Sequence, residues 1–249
     1  ARTQLGDRPG AEAELRTVLA GAEEHGHVAE ARAARRQLRH LGVEVAADTA
    51  PPSQEADLRQ ASERLVTVMF VDVRGYTALT ASEPPQQLID KISSLYRWAD
   101  QQVQRHHGRV MHRAGDAVVA SFNVYGARLD HTLHALQAAI EIRDKASYGG
   151  LPIGAGIAVG PAVVGQLSEQ SDVTVIGETP NLAARLQAQA GAGEILLSEE
   201  AFRRVRDCLA DQKFTVGEER LTLKGFAQPV TAYRLGSHEL AAPSIERHR

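Results

Sequence analysis

Leu65-Val66-Thr67-Val68-Met69-Phe70-Val71 is an unbroken apolar and β-branched run that ends on Asp72. No charged position recurs within it to face solvent, so it predicts a strand covered on both faces. Downstream, Pro84 to Val103 reads as a helix with Leu88, Ile89, Ile92, Leu95, Tyr96 and Ala99 on one face. Val110 to His112 and Ala117 to Phe122 read as two strands around a tight Ala114-Gly115-Asp116 turn. Leu129 to Ile142 is a second amphipathic helix, carrying Leu133, Leu136, Ala139 and Ile140. Three strands follow, at 153–159, 162–165 and 173–176, then a helix at 179–190 and a strand at 194–198. Phe214 to Val216, Leu221 to Leu223 and Val230 to Arg234 complete a mixed sheet. The order strand, helix, strand, strand, helix, strand predicts an α+β core of ferredoxin-like type, a mixed sheet with flanking helices.

Upstream of the decisive strand, Asp57 to Arg64 reads as a short lead-in helix, and Gly42 to Gln54, with Pro51-Pro52, as a linker. Leu15, Val18, Leu19 and Ala22 fall at helical spacing, as do Val28, Ala31, Ala34, Leu38 and Leu41 after a break at Gly26. From Leu5-Gly6-Asp7 onward this resembles the helical pairs of tetratricopeptide-like repeats, which need neighbours to bury their faces. The expected organisation is a helical segment with linker at 1–50, a main domain at 64–236 and a tail at 237–249.

Bulk properties narrow the function classes. An apolar fraction of 43% and a charged fraction of 24% are ordinary for a soluble folded chain. A net charge of −3 gives no reason to expect nucleic acid or an anionic membrane as partner. Cys208 is the single cysteine, so no intrachain disulfide forms and a reducing, cytoplasmic compartment fits. The charge-free stretch at 151–166 is short and glycine-rich, which reads as paired strands and not a membrane span. No signal peptide opens the sequence, and its first residue, Ala1, is the kind of start a piece cut from a longer protein has.

Asp72 and Asp116 stand 44 residues apart, one ending a strand and the other in a hairpin turn. A split βαβ layout lets those strands lie side by side and brings both carboxylates to one sheet edge. Paired carboxylates there suit Mg²⁺, which takes oxygen ligands; strand-end aspartates are also common as simple turn residues. Val73-Arg74-Gly75-Tyr76-Thr77 is a glycine-containing turn into a helix, whose backbone N–H groups face phosphate oxygens in many proteins. Asn181 and Arg185 are at i and i+4 on one helix and point the same way, towards a phosphoryl group and a ribose or simply towards solvent.

Resemblance decides between these readings. Phe70-Val71-Asp72-Val73-Arg74-Gly75-Tyr76-Thr77-Ala78-Leu79-Thr80 resembles the first signature of class III adenylyl and guanylyl cyclases. Gly115-Asp116-Ala117-Val118-Val119-Ala120-Ser121-Phe122 is similar to their second metal motif. The stretch from Val175 through Gly177, Asn181 and Arg185 to Leu186 resembles their third, and Leu223-Lys224-Gly225-Phe226 their closing one. The four occur in family order.

The resemblance implies two metal ions, Mg²⁺ or Mn²⁺, on Asp72 and Asp116, with the Val73 carbonyl as a further ligand. It places Gly75, Tyr76 and Thr77 on phosphates, Asn181 on the ribose, Arg185 on the pentavalent phosphorus and Lys224 on the terminal phosphates. The ribose 3′-hydroxyl attacks the α-phosphate and pyrophosphate leaves. In this family one subunit gives the aspartates and the other the Asn/Arg pair, so a homodimer carrying both sets builds two sites. His112 stands where adenylyl cyclases place a purine-reading lysine and guanylyl cyclases a glutamate. Thr174 stands where aspartate is common, and threonine occurs there in a bicarbonate-responsive adenylyl branch. Pro161 replaces an additional phosphate-binding arginine found in some heteromeric members. The expected activity is ATP to cyclic AMP; the alternatives are a cyclase using GTP or another nucleotide, and a catalytically weak dimerising or sensing module.

Overall fold

The computed structural model describes residues 8–24, 34, 38, 41, 43, 58, 61–124, 128–166, 173–209 and 214–237. The chain divides into two compact units, residues 1–53 and 54–249. In the first, helix α1 (Arg8–Glu24) carries the predicted Leu15/Leu19 stripe. Of the second predicted helix, Ala34 and Leu38 are helical and buried and Leu41 is a half-buried turn residue, while Val28 and Ala31 lie outside the described residues.

The second unit is an eight-stranded mixed sheet with helices on both faces. In chain order it comprises β1 (Ser62–Val73), α2 (Tyr76–Ser82), α3 (Pro85–Arg105), β2 (Gly108–Ala114), β3 (Ala117–Phe122), α4 (His131–Tyr148) and β4 (Ile153–Gln166). Then come β5 (Val173–Ile176), α5 (Glu178–Gln189), β6 (Ile195–Ser198), α6 (Glu199–Leu209), β7 (Phe214–Leu221) and β8 (Val230–Ser237). The strand order is β2-β3-β1-β4-β6-β8-β7, with β5 pairing the far end of β4.

The decisive run sits in a central strand and alternates between two cores. Met69, Val71 and Val73 pack with Leu95, Ala99 and Val103 of α3, Leu136, Ala139 and Ile142 of α4, and Val205 of α6. Val66 and Val68 point the other way, onto Ala183 and Leu186 of α5 and Ala190 just after it. That two-sided cover explains the lack of polar alternation in the sequence. Phe70 and Asp72 therefore lie on the α5 face.

Three expectations need correction. The lead-in helix at 57–64 is not seen over 62–64, where β1 has already begun. Residues 153–166 form one strand and not two. Pro161 does not break it, because it lies opposite Leu65 with its carbonyl turned away from β1 to accept the Thr179 hydroxyl at 2.8 Å. Likewise 214–221 is one strand. Helix α6 was not anticipated, nor was the short α2 as an element separate from α3. No helix among the described residues is long and apolar enough to cross a membrane.

Candidate active site

Antiparallel pairing sets Asp72 opposite Ala117 of β3, the residue after Asp116. The β2–β3 turn, with Gly115 at φ +61°, then folds Asp116 back onto the end of β1. The Tyr96 hydroxyl of α3 fixes that turn by donating to the Gly115 carbonyl at 2.6 Å. The two carboxyls lie within hydrogen-bonding reach, and burial together with the Asp72 carboxyl pushes Asp116 up to about 6. A pair of close carboxylates with an all-oxygen donor set fits a divalent cation, which offsets the repulsion that raises Asp116.

A pH dependence follows. A carboxyl raised in the folded state holds its proton there while the unfolded chain has lost it. Its contribution to the metal-free fold is therefore present at low pH and is lost as pH rises from the ordinary carboxylate range through about 6. Metal must displace that proton. Mn²⁺ affinity, followed by EPR, is expected to rise by about tenfold per pH unit below pH 6 and to level off above it. A flat profile between pH 5 and 7 would detach Asp116 from the metal.

Asp72 has two partners that sequence reasoning did not single out. Gln187 Nε2 donates to its Oδ2 at 3.0 Å, and an Arg74 guanidinium nitrogen lies 3.4 Å from the same oxygen. The Arg74 guanidinium also donates to the Gln187 backbone carbonyl at 3.2 Å. Helix α5 comes this close because β4 has glycine beneath it: a Cβ at Gly156 would meet the Gln187 nitrogen at 2.2 Å and the Ala183 carbonyl oxygen at 2.3 Å.

Asn181 and Arg185 sit on the exposed side of α5, opposite the buried Ala183, Leu186 and Gln187, with no side-chain hydrogen bond to any described residue. One chain thus presents the acidic pair and the Asn/Arg pair on separate surfaces. Val73 is buried at the end of β1, and Gly75 caps α2 at φ +69° with Tyr76 half-buried and Thr77 exposed. His112 is exposed on edge strand β2, after a bulge, on the α5 face opposite Val119 and hence in line with Phe70. Thr174 lies opposite Gly165 at the other end of β4, so the registers hold these two base-reading candidates at different stretches of the sheet. Lys224 is exposed in the turn after β7, beside Gly225 at φ +93°.

Comparison with known proteins bears on the fold and the family. Residues 58–237 match the model of the adenylate and guanylate cyclase catalytic domain. Two uncharacterized proteins of Mycobacterium tuberculosis, Rv1318c and Rv1320c, are 32% and 34% identical over 202 and 203 residues, 77% of this chain in each case. The chain spans about a third of these relatives, 36% of one and 34% of the other. Among solved structures, the adenylyl cyclase CyaB of P. aeruginosa superposes with a TM-score of 0.65 at 24% identity, covering 74% of this chain and all 100% of that one. The guanylyl cyclase Cya2 gives 0.61 at 22% identity, covering 73% of this chain and 96% of that one. Both likenesses show the fold. With the family model matched across most of its length, the chain belongs to the adenylate and guanylate cyclase catalytic-domain family, the class III nucleotide cyclases.

Proposed function

We propose that the chain is an adenylate cyclase that converts ATP to 3′,5′-cyclic AMP and pyrophosphate at sites shared within a cytoplasmic homodimer. The catalytic domain is 64–236, following the helical segment at 1–50 and preceding the tail at 237–249. The observation that carries the reading is the close Asp72–Asp116 pair together with Asn181 and Arg185, four polar groups kept in place and not consumed by the core. Two Mg²⁺ or Mn²⁺ ions held there by both carboxylates and the Val73 carbonyl would supply activation of the attacking hydroxyl and stabilisation of the leaving oxygen. Gly75, Tyr76 and Thr77 present the turn to the phosphates, and Lys224 pairs with the terminal ones.

Shared sites are supported by where the residues face. Among the described residues, helix α5 packs on β4, β1 and β6 and makes no comparable contact with β2 or β3. Phe70, Met111 and Val119 are only partly buried there, beside Leu182. A second copy laid on this apolar face brings its Asn181 and Arg185 towards the acidic pair. Arg185, whose side chain has no partner among the described residues, is available to charge that develops on phosphorus. Arg185→Ala is expected to lower turnover about 10²–10³-fold, with a much smaller change in substrate binding. Comparable losses in kcat and in ground-state nucleotide affinity would assign Arg185 to binding.

His112 and Thr174 decide the base. In this reading Thr174 accepts from the amine of adenine and His112 donates to a ring nitrogen, which requires the dimer to bring their two stretches of sheet to one base. A neutral imidazole has one donor, whereas a lysine ammonium has three. His112→Lys is therefore expected to keep or raise ATP turnover and to strengthen the preference for ATP over GTP. His112→Ala relaxes that preference more than it lowers the maximal rate. The measurement is the ratio of kcat/KM for ATP and GTP in the three proteins. An unchanged ratio in both variants would remove His112 from the base pocket.

A further inference from the structure

We infer that Gln187 is a positioning residue for Asp72, and that it ties the metal carboxylate of one site to the helix that serves the other. The inference rests on the shared-site reading above. Gln187 is only 9% exposed, yet its amide nitrogen donates to Asp72, one of the two carboxylates proposed for metal. A carboxylate turns easily about its last torsion. With Oδ2 fixed by Gln187 at 3.0 Å and by Arg74 at 3.4 Å, that rotation is arrested and Oδ1 is left for the cation. The Arg74 link to the Gln187 carbonyl closes the triangle from the other side.

This contact does more than pack a helix. The backbone of Gln187 already rests directly on Gly156, so the seat of α5 does not need the side-chain amide. What the amide adds is a direct connection between Asp72 and α5. Asn181 and Arg185 lie on that same helix, six and two residues before Gln187. In a head-to-tail dimer Asp72 works with the partner's α5, while its own α5 works in the second site. A single hydrogen bond therefore spans the two sites within each chain.

The test uses a dimer mixed from Asp116→Ala and Asn181→Ala chains, which has one intact site. That site takes Asp72 from the Asn181→Ala chain and Arg185 from the Asp116→Ala chain. Gln187→Met keeps side-chain length and helix propensity and removes the amide, and with it the bond to Asp72. Placed in the Asn181→Ala chain, it is expected to raise the half-saturating Mn²⁺ concentration about 10–100-fold, with kcat at saturating metal changed only a few-fold. Placed in the other chain, it should leave the metal midpoint where it was. Equal shifts in both arrangements, or none in the first, would overturn the inference. Mn²⁺ binding to the Gln187→Met homodimer, read by EPR with gel filtration and thermal melting as fold controls, needs no turnover. Unaltered affinity there would also overturn it. Lack of activity in the parent mixed dimer, with altered Mn²⁺ affinity in the homodimer, would instead refute shared sites and leave Gln187 as a positioner of Asp72 alone.

Discussion

Asp116→Ala is expected to abolish cyclisation while the fold persists. Asp116 lies in a hairpin turn outside both cores, so its removal opens no apolar cavity. It also removes a carboxyl whose proton is held up to about 6 by burial and by Asp72, so the metal-free domain loses an unfavourable pairing at neutral pH. Catalysis loses a ligand of both ions. A fall of at least about 10³-fold corresponds to roughly 4 kcal/mol of transition-state stabilisation, well within what metal charge supplies. Asp72→Ala is expected to be equally inactive but less benign, because it leaves the buried Gln187 amide nitrogen without its acceptor. Initial rates with ATP and Mn²⁺, alongside thermal melts, separate the two effects. Near-normal turnover in either variant would remove the two-metal assignment.

The second large effect is a gain. Asp116→Ala and Asn181→Ala homodimers are each expected to be inactive, and mixing the two chains is expected to restore activity. Random pairing makes about half of the dimers mixed, and each of those holds one doubly defective and one intact site. Recovery to about a quarter of the wild-type rate per chain follows if the intact site works independently. The separation of the acidic pair from the exposed face of α5 within one chain motivates this expectation. Absence of rescue, with mixed dimers demonstrated by differently tagged chains, would place complete sites within single protomers.

Much of the fold was legible because its signals are local. The run from Leu65 to Val71 declares a doubly covered strand, and the Ala114-Gly115-Asp116 turn declares the hairpin that brings Asp116 back to it. Pro161 misled because a proline normally ends a strand, and only the pairing register reveals that its nitrogen faces away from β1. Helix α6 was missed despite usable signs. Ser198 caps it by accepting from the Ala201 nitrogen at 3.2 Å, Glu199 and Glu200 fill its first turn, and Ala201, Val205 and Leu209 recur every fourth residue on its buried face. The acidic pair was readable from spacing together with family resemblance. Gln187 was not: a glutamine inside Leu-Gln-Ala-Gln reads as a solvated helix position, and its bond to Asp72 spans 115 residues of sequence. Only the approach of α5 over Gly156 turns it inward.

The most direct measurement of the central claim is the product itself. The protein, at a concentration where gel filtration shows a dimer, is incubated with ATP, GTP, CTP or UTP in Mn²⁺ and then in Mg²⁺, and the products are identified by mass spectrometry. The account predicts 3′,5′-cyclic AMP and equimolar pyrophosphate from ATP, at a rate above that for the other three nucleotides. Cyclic GMP as the main product, or no cyclic nucleotide from any of the four, would contradict it.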